Sequence, residues 1–260
     1  MNVIWIIIVL LIFTYNKYYD YLIYYIYNLI PYKEVSKNPI NKILIGIPVI
    51  DRDCDVAELV YNHIEKSKIY ILNYYNIKFD YLIITRKSDK HCTNYWKNKG
   101  KLILVDNYNI KKRHNFDEMA NTFNMFTEYS KNYDALLIVE SDIIINEETI
   151  FKLYKKINEY HVVYSYFDTP WTNYPLIVKG GLYPQIIDGR KYNNNIILGH
   201  GTGCIMIRTE VFKDCKFQNK NFAGLIDGQD VGFSLSLFKH RYLSFLTDDY
   251  VDHVYDRFET

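Results

Sequence analysis

Residues 134–142, DALLIVESD, decide the interpretation of this 260-residue chain. The five apolar residues from Ala135 to Val139 predict a strand buried on both faces, as found inside parallel sheets. The strand ends in Glu140, Ser141 and Asp142, which place two carboxylates one residue apart. In open α/β sheets, ligands bind outside the carboxyl ends of the strands. Oxygen ligands of this kind suit Mg²⁺ or Mn²⁺, which usually complete their coordination with substrate phosphates.

A simpler interpretation of the two acids stays open at this point. Residues 146–149, NEET, follow closely, and acidic side chains favour the first turn of a helix. Glu140 and Asp142 could then belong to a solvated loop between a strand and a helix. Short acidic motifs have many chance matches, so the spacing alone does not decide between a metal site and a loop.

The segments before the acidic strand predict an alternation of strands and helices. A buried strand runs from Lys42 and ends at Pro48, and residues 79–85 and 101–105 predict two more strands. Apolar residues at helical spacing predict a helix after the first strand, capped by Asp55, and another before the acidic strand. Strands that alternate with helices argue for parallel βαβ units. We therefore expect an α/β fold with a mostly parallel sheet flanked by helices.

Composition excludes several classes of protein. The 31 basic and 30 acidic residues are interspersed and give a formal net charge of +1, so no basic patch indicates nucleic-acid binding. Four cysteines without a Cys-x-x-Cys pair argue against a zinc site, and so few in a chain this long argue against a disulfide framework. Neither a Gly-x-Gly-x-x-Gly fingerprint nor a Walker loop is present, so a bound nucleotide would be held by a metal rather than by a glycine cradle.

The N-terminal segment, residues 1–31, is rich in apolar and aromatic side chains. Its first run, residues 3–15, is shorter than the roughly 20 residues that a spanning helix needs, and residues 18–30 continue with tyrosines, which prefer the membrane–water boundary. We expect a membrane-associated protein with a single N-terminal anchor. A cleaved signal peptide and a buried or partner-docking helix are the alternatives, and without an anchor the protein would be cytoplasmic. Residues 32–41 predict a linker, and residues 42–260 the globular domain.

Three further motifs lie in the second half of the chain. The glycine-rich turn Gly201-Thr202-Gly203 precedes an apolar strand, and its glycines permit close approach to a ligand. Asp230 precedes an apolar helix, where an acid could also serve as a helix cap. His253 follows late in the sequence, where a lone histidine is more often structural than a ligand.

In this order, the motifs resemble those of GT-A fold glycosyltransferases, which use nucleotide-sugar donors. The resemblance covers roughly residues 42–253. It implies that Asp142 holds a divalent ion and that Glu140 contacts the ion or the ribose. It further implies that His253 reaches the metal or the diphosphate, and that Asp230 acts as the base of an inverting reaction. A nucleotide-sugar site is implied for Pro48, Val49, Arg86, Arg113, Ser141, Gly201, Thr202 and Gly203.

The implied enzyme is a Mn²⁺- or Mg²⁺-dependent transferase that moves a sugar from a nucleoside-diphosphate donor to a hydroxyl of a glycan, protein or lipid acceptor. Glu140 stands where an Asp usually opens the Asp-x-Asp motif, and Gln229 stands where a Glu usually precedes the base. The second departure leaves Asp227 as an alternative base, and it leaves open a catalytically degenerate scaffold of the same fold. A sugar nucleotidyltransferase is the third hypothesis, although residues 48–52 lack the Gly- and Arg-rich phosphate loop of that class.

Overall fold

The computed structural model describes residues 29–49, 54–105, 116–167, 176–179, 185–188, 196–197, 199–222 and 226–254. Arg113 and nearly all of the N-terminal hydrophobic segment lie outside these residues, so the predictions made for them concern parts of the chain that are not described.

The described strands, in chain order, are β1 (Lys42–Pro48), β2 (Lys78–Arg86), β3 (Lys101–Val105), β4 (Ala135–Val139), β5 (Ile143–Ile144), β6 (Val162–Tyr166), β7 (Leu176–Lys179), β8 (Gln185–Asp188), β9 (Ile196–Ile197), β10 (Cys204–Arg208), β11 (Lys220–Phe222), β12 (Ile226–Gly228), β13 (Ser244–Tyr250) and β14 (Asp252–His253). Eight of them form the central sheet in the order β3-β2-β1-β4-β10-β6-β13-β9. The pairs β5–β14, β7–β8 and β11–β12 form small antiparallel ribbons.

The central sheet is mostly parallel, as predicted. β1 pairs in parallel with β2 and β4, β2 with β3, and β6 with β13. β10 runs against both of its neighbours, β4 and β6, and β9 runs against β13. The sheet therefore has a carboxyl end, where the parallel strands finish and β10 begins, and an amino end, where the parallel strands start.

The helices are α1 (Ala57–Leu72), α2 (Lys90–Trp96), α3 (Phe116–Tyr129), α4 (Thr149–Ile157) and α5 (Gln229–Lys239). The prediction that Asp55 caps the first helix is wrong, because Val56 occupies the N-cap position of α1 and no side chain caps this helix. The sequence analysis also missed α2, which has only seven residues and so too few for a clear helical period. Within the described ranges, no helix combines the length and the apolarity that crossing a membrane requires.

β4 confirms the interpretation of the opening stretch, because all five of its residues are fully buried. Leu137 faces the core formed with α1 and α4, whereas Leu136 and Ile138 face the core formed with α3, including Phe123 and Phe126. A strand covered by helices on both faces has no polar side, and this explains its uninterrupted apolar sequence.

Residues 32–41, here called the strap, have no regular secondary structure but are tied to the fold at the amino end of the sheet. Lys33 N donates a hydrogen bond to Arg241 O (2.8 Å), in the turn between α5 and β13. Further along, Arg208 Nη1 donates to Asn38 O (3.4 Å). The strap thus crosses the amino end from the β13 side to β1.

One disulfide joins Cys54, in the turn before α1, to Cys92 of α2, with the two Cα atoms 5.4 Å apart. The cysteine count argued against a disulfide framework, and this single bond is the exception. It could not be inferred from the sequence because the two cysteines come together only through the packing of α2 beside α1. Cys204 and Cys215 are buried free thiols.

Candidate active site

The two acids of the opening stretch lie in a tight turn at the carboxyl end of the sheet, between β4 and β5. The turn is held by its main chain: Glu140 N donates to Gly203 O (2.8 Å), and Ile143 N donates to Glu140 O (3.1 Å). Ser141, between the acids, is 3% exposed. The turn therefore belongs to the folded core rather than to a solvated loop, and the backbone of β10 fixes its position.

The short strand β14 brings His253 to this turn. β14 pairs with β5 so that His253 lies opposite Ile143, and Val254 N donates to Asp142 O (2.8 Å). As a result His253 Nε2 lies 3.5 Å from Asp142 Oδ2, and the two side chains are only 12% and 10% exposed. The structure thus joins an acid and a histidine that are more than a hundred residues apart in sequence.

The glycine-rich turn before β10 closes another side of the site. Thr202 Oγ1 donates a hydrogen bond to Glu140 Oε1 (3.0 Å). A Cβ atom at Gly201 or Gly203 would lie 2.9 or 3.0 Å from the ring of Phe167. A larger residue at either position would push this ring away, so glycine lets the turn that carries Thr202 pack closely against Phe167.

Asp230 enters the same site from the first turn of α5. Gly228, which precedes the helix, has φ = 151°, and a Cβ atom there would lie 2.5 Å from Asp230 Oδ1. The carboxylate also accepts a hydrogen bond from Val231 N (2.9 Å). The interpretation of Asp230 as a helix cap is wrong, because Gly228 occupies the N-cap position of α5 and no side chain caps this helix. The charge of Asp230 acts instead on Glu140.

The three acids lie within electrostatic reach of one another, because the charges of Asp142 and Asp230 act on Glu140. Burial raises the pKa of Glu140 to about 7, and the charges of Asp142 and Asp230 add to this rise, while the Thr202 hydroxyl and His253 oppose it. Burial likewise raises the pKa of Asp230 to about 6, against the hydrogen bond from Val231 N. Two carboxyl groups that titrate near neutral pH can hold or release a proton under physiological conditions.

Phe167 is an aromatic neighbour of the site that was not singled out from the sequence. The ring of Phe167 stacks on His253 at an interplanar angle of 19° with centroids 6.3 Å apart, and it packs against His200 at 4.6 Å. Phe167 directly follows β6, so its place at the carboxyl end of a strand was the available signal. It covers the histidine and the glycine-rich turn on one side.

The remaining predicted residues are distributed along the same end of the sheet. Pro48 finishes β1, and Val49, buried, donates its N–H to Ile84 O (2.9 Å). Arg86 finishes β2, the strand beyond β1. Among the described residues, no hydrogen bond or ion pair links Arg86 to the acids. Pro48 and Arg86 thus lie at the same end of the sheet as the acids.

The side chains around Asp142 and His253 offer a divalent ion part of a ligand set. No group of three or more His, Cys, Asp or Glu side chains in the described part of the chain forms a complete ligand set. Asp142 and His253 nevertheless supply one carboxylate and one imidazole side by side. Mn²⁺ and Mg²⁺ accept carboxylate oxygen, and such ions are often bound by one or two protein groups plus substrate phosphates. A partial site that a phosphorylated ligand completes therefore fits this geometry.

Comparison with known proteins shows which solved structures share this fold. No family model matches the chain, and no curated protein matches its sequence. Solved structures do match: the GalNAc-T7 structure with UDP, GalNAc and Mn²⁺ has a TM-score of 0.55 at 10% identity over 84% of this chain and 44% of that one. The Pyrobaculum calidifontis mannosyltransferase PcManGT, with GDP-Man and Mn²⁺, has a TM-score of 0.50 at 12% identity over 94% of this chain and 67% of that one.

Residues 1–349 of S. aureus TarS match with a TM-score of 0.50 at 14% identity over 81% of this chain, which spans 60% of that structure's length. Nucleotidyltransferases are also among the matched structures. At these identities the comparisons establish a GT-A-like α/β fold.

Proposed function

We propose that this protein is a metal-dependent glycosyltransferase that moves a sugar from a nucleoside-diphosphate donor to a hydroxyl acceptor, with inversion at the sugar carbon. One observation carries the proposal: the pairing of β14 with β5 places His253 beside Asp142, in the same enclosed region as Glu140 and Asp230. A scaffold without chemistry has no need to hold the buried Glu140 against the charges of Asp142 and Asp230.

In this proposal Asp142 and His253 hold a Mn²⁺ or Mg²⁺ ion against the donor diphosphate. When bound, the ion would neutralise negative charge that develops on the leaving diphosphate. Glu140, oriented by Thr202, faces the ion or the ribose. Pro48, Val49, Arg86 and Arg113 line the nucleoside side, and Ser141 and the Gly201-Thr202-Gly203 turn line the sugar.

Asp230 is the proposed base. Its raised pKa lies closer to neutral pH than that of an ordinary aspartate, so its carboxylate is a better proton acceptor for an incoming hydroxyl. Beside it Gln229 is 5% exposed, and its Oε1 has no hydrogen-bond partner among the described residues. An unsatisfied buried acceptor is costly, so we expect a hydroxyl of a bound substrate or a water molecule to occupy it. The acceptor is a glycan, a protein or a lipid, and a membrane location through the N-terminal segment is part of the proposal.

Donor-dependent thermal stabilisation of the full chain tests this function. Nucleoside-diphosphate sugars of different bases are added with and without Mn²⁺. We expect one donor to stabilise the protein only with metal, by about 2–3 kcal/mol when present at a hundred times its Kd. The stabilisation should vanish in Asp142→Asn and in His253→Ala, and it should persist in the control Asp248→Asn, because Asp248 is exposed on β13.

Other results would redirect the assignment. Stabilisation by a nucleoside triphosphate together with a sugar 1-phosphate, with release of pyrophosphate, would identify a nucleotidyltransferase. Donor binding without turnover under any condition would identify the scaffold. No metal-dependent shift with any donor would reject the proposed site.

A further inference from the structure

The amino end of the sheet, opposite the candidate active site, collects most of the exposed apolar surface of the described chain. Helices that connect parallel strands return to this end, so it carries the last turns of α1 and α3. Twelve large apolar or aromatic side chains are exposed in the described ranges. Eight of them lie here: two tyrosines in the turn from α1 to β2, together with Leu29, Ile30, Tyr32, Ile69, Leu72 and Tyr129. Such a concentration on one end marks an interaction surface.

A groove of about 640 Å³ opens at the same end, below the starts of β1, β2 and β3. Four lysines and four tyrosines line it. Lysine ammonium groups lie over tyrosine rings, as in Lys99 over Tyr61 (4.3 Å) and Lys101 over Tyr129 (4.2 Å). The aliphatic part of each lysine therefore packs on an aromatic face while its charged group stays at the surface.

The groove lysines differ in how their charge is balanced. Lys42 lies 3.8 Å from Asp80, and Lys68 lies 2.5 Å from Glu65. Within the described part of the chain, no carboxylate forms an ion pair with Lys99 or Lys101. The groove thus carries local positive charge, although the formal charge of the whole chain is only +1.

We propose that the amino end of the sheet docks onto a membrane surface that contains anionic phospholipids. The groove lysines would bind headgroup phosphates, and the exposed tyrosine and aliphatic side chains would enter the interface. Tyrosine favours the headgroup level, and lysines near an anionic leaflet are attracted to it. The proposed function places the protein at a membrane only through its N-terminal segment, so this second contact goes beyond it and does not require transferase activity.

The sequence that leads into this surface argues for a membrane rather than for another protein. Residues 18–30, YYDYLIYYIYNLI, join the strap, which is fixed at the amino end by Lys33 and Arg241. Their tyrosine-rich, aliphatic composition matches the side chains that the folded part exposes at this end. Docking here would also leave the acids at the opposite end facing water, where a soluble donor can reach them.

Co-sedimentation of the full chain with vesicles tests the proposal. Vesicles of phosphatidylcholine alone are compared with vesicles that also contain phosphatidylglycerol. We expect tighter binding to the anionic vesicles, weakened by added salt. Lys99→Gln with Lys101→Gln should weaken anionic binding about tenfold or more and leave neutral binding unchanged. Ile69→Ser with Leu72→Ser should weaken binding to both vesicle types.

The matched control is Lys87→Gln with Lys90→Gln. Both lysines are exposed and removed from the groove, and this pair should bind within about twofold of the parent chain. Circular dichroism and melting temperatures establish that each variant folds. Equal binding to both vesicles, or full anionic binding by the Lys99/Lys101 variant, would overturn the proposal and assign any membrane affinity to residues 1–28. Self-association that the same variants abolish would instead assign the surface to a second copy of the chain.

Discussion

The two ends of the central sheet carry opposite chemistry. At the carboxyl end, Glu140, Asp142 and Asp230 are enclosed together with His253. The charges of Asp142 and Asp230 disfavour ionisation of Glu140. At the amino end, most lysines are at least partly exposed, and several form ion pairs with a single carboxylate, as Lys33 does with Asp214 (2.5 Å). Enclosed like charges cost free energy, whereas exposed pairs contribute little. The enclosed acids therefore cost stability at the carboxyl end.

Part of this difference follows from chain direction alone. Helices after parallel strands begin at the carboxyl end and finish at the amino end, so their dipoles favour acids at the first and bases at the second. Asp117 and Glu118 in the first turn of α3, and Lys155 and Lys156 in the last turn of α4, follow this rule. Glu140 and Asp142 lie in a turn outside any helix, and so helix dipoles do not account for them.

The largest effect that separates the two ends is expected from Asp230→Asn. The substitution keeps the shape of the side chain and removes its basicity, so we expect the rate of sugar transfer to fall by about 10²–10⁴-fold with little change in donor affinity. Transfer of the donor sugar to water needs the same base, so the release of nucleoside diphosphate measures the decrease in rate. Asp117→Asn, in the first turn of α3 at the same end, should keep the parent rate. An unchanged rate in Asp230→Asn would transfer the base role to Asp227.

A stability effect without a catalytic one is expected at the amino end from Arg208→Met. Arg208 is 4% exposed, and its Nε donates to Ile157 O (2.8 Å) while Nη1 donates to Asn38 O of the strap. Loss of the Nε donor leaves the buried carbonyl of Ile157 unsatisfied, so chemical denaturation should show a decrease of about 2–3 kcal/mol in the free energy of unfolding.

The matched control is Lys33→Met, which removes a half-exposed ion pair of the same strap and should cost less than about 1 kcal/mol. Both variants should bind metal and donor like the parent chain. Lost donor binding in Arg208→Met would mean that the two ends are coupled through the sheet, in contradiction to the comparison above.

How far the sequence predicts this fold differs between its two halves. The strands β1 to β4 were found because each is a short apolar run, and their alternation with helices predicted parallel pairing. The reversal of β10 between β4 and β6 was not predicted, since an isolated apolar strand such as residues 204–207 carries no mark of its direction. The short α2 and the Cys54–Cys92 bond were also missed, because both depend on packing.

The site was predicted at the level of residue types. The spacing of Glu140 and Asp142 was visible in the sequence. Whether the two acids lie in an ordinary solvated loop could be decided only from the structure, where Glu140 N donates a hydrogen bond to Gly203 O. The place of His253 beside Asp142 depends on the pairing of two strands of two residues each, too short to carry a sequence signal. Phe167 was missed for a related reason, since its role is defined only by the rings around it.

A gain of stability, opposite in sign to the effect at Arg208, is expected at the carboxyl end from Glu140→Gln. Burial raises the pKa of Glu140 to about 7 in the folded chain, whereas an unfolded glutamate titrates near 4.3. Between these values the unfolded state releases a proton that the folded state keeps, so the contribution of Glu140 to stability is full below about pH 4 and is lost as the pH rises through about 7. Glutamine removes this loss and can still accept the hydrogen bond from Thr202.

In the absence of metal, the variant should therefore match the parent at pH 4 and exceed it by about 3 kcal/mol in the free energy of unfolding at pH 8. Denaturation at the two pH values measures the difference. Glu159→Gln, an exposed change at the amino end, should show no such dependence on pH. A Glu140→Gln variant less stable than the parent at pH 8 would mean that Glu140 is ionised and favourably paired in the folded chain. The enclosed acids would then stabilise the carboxyl end, and its contrast with the amino end would be one of chemistry alone.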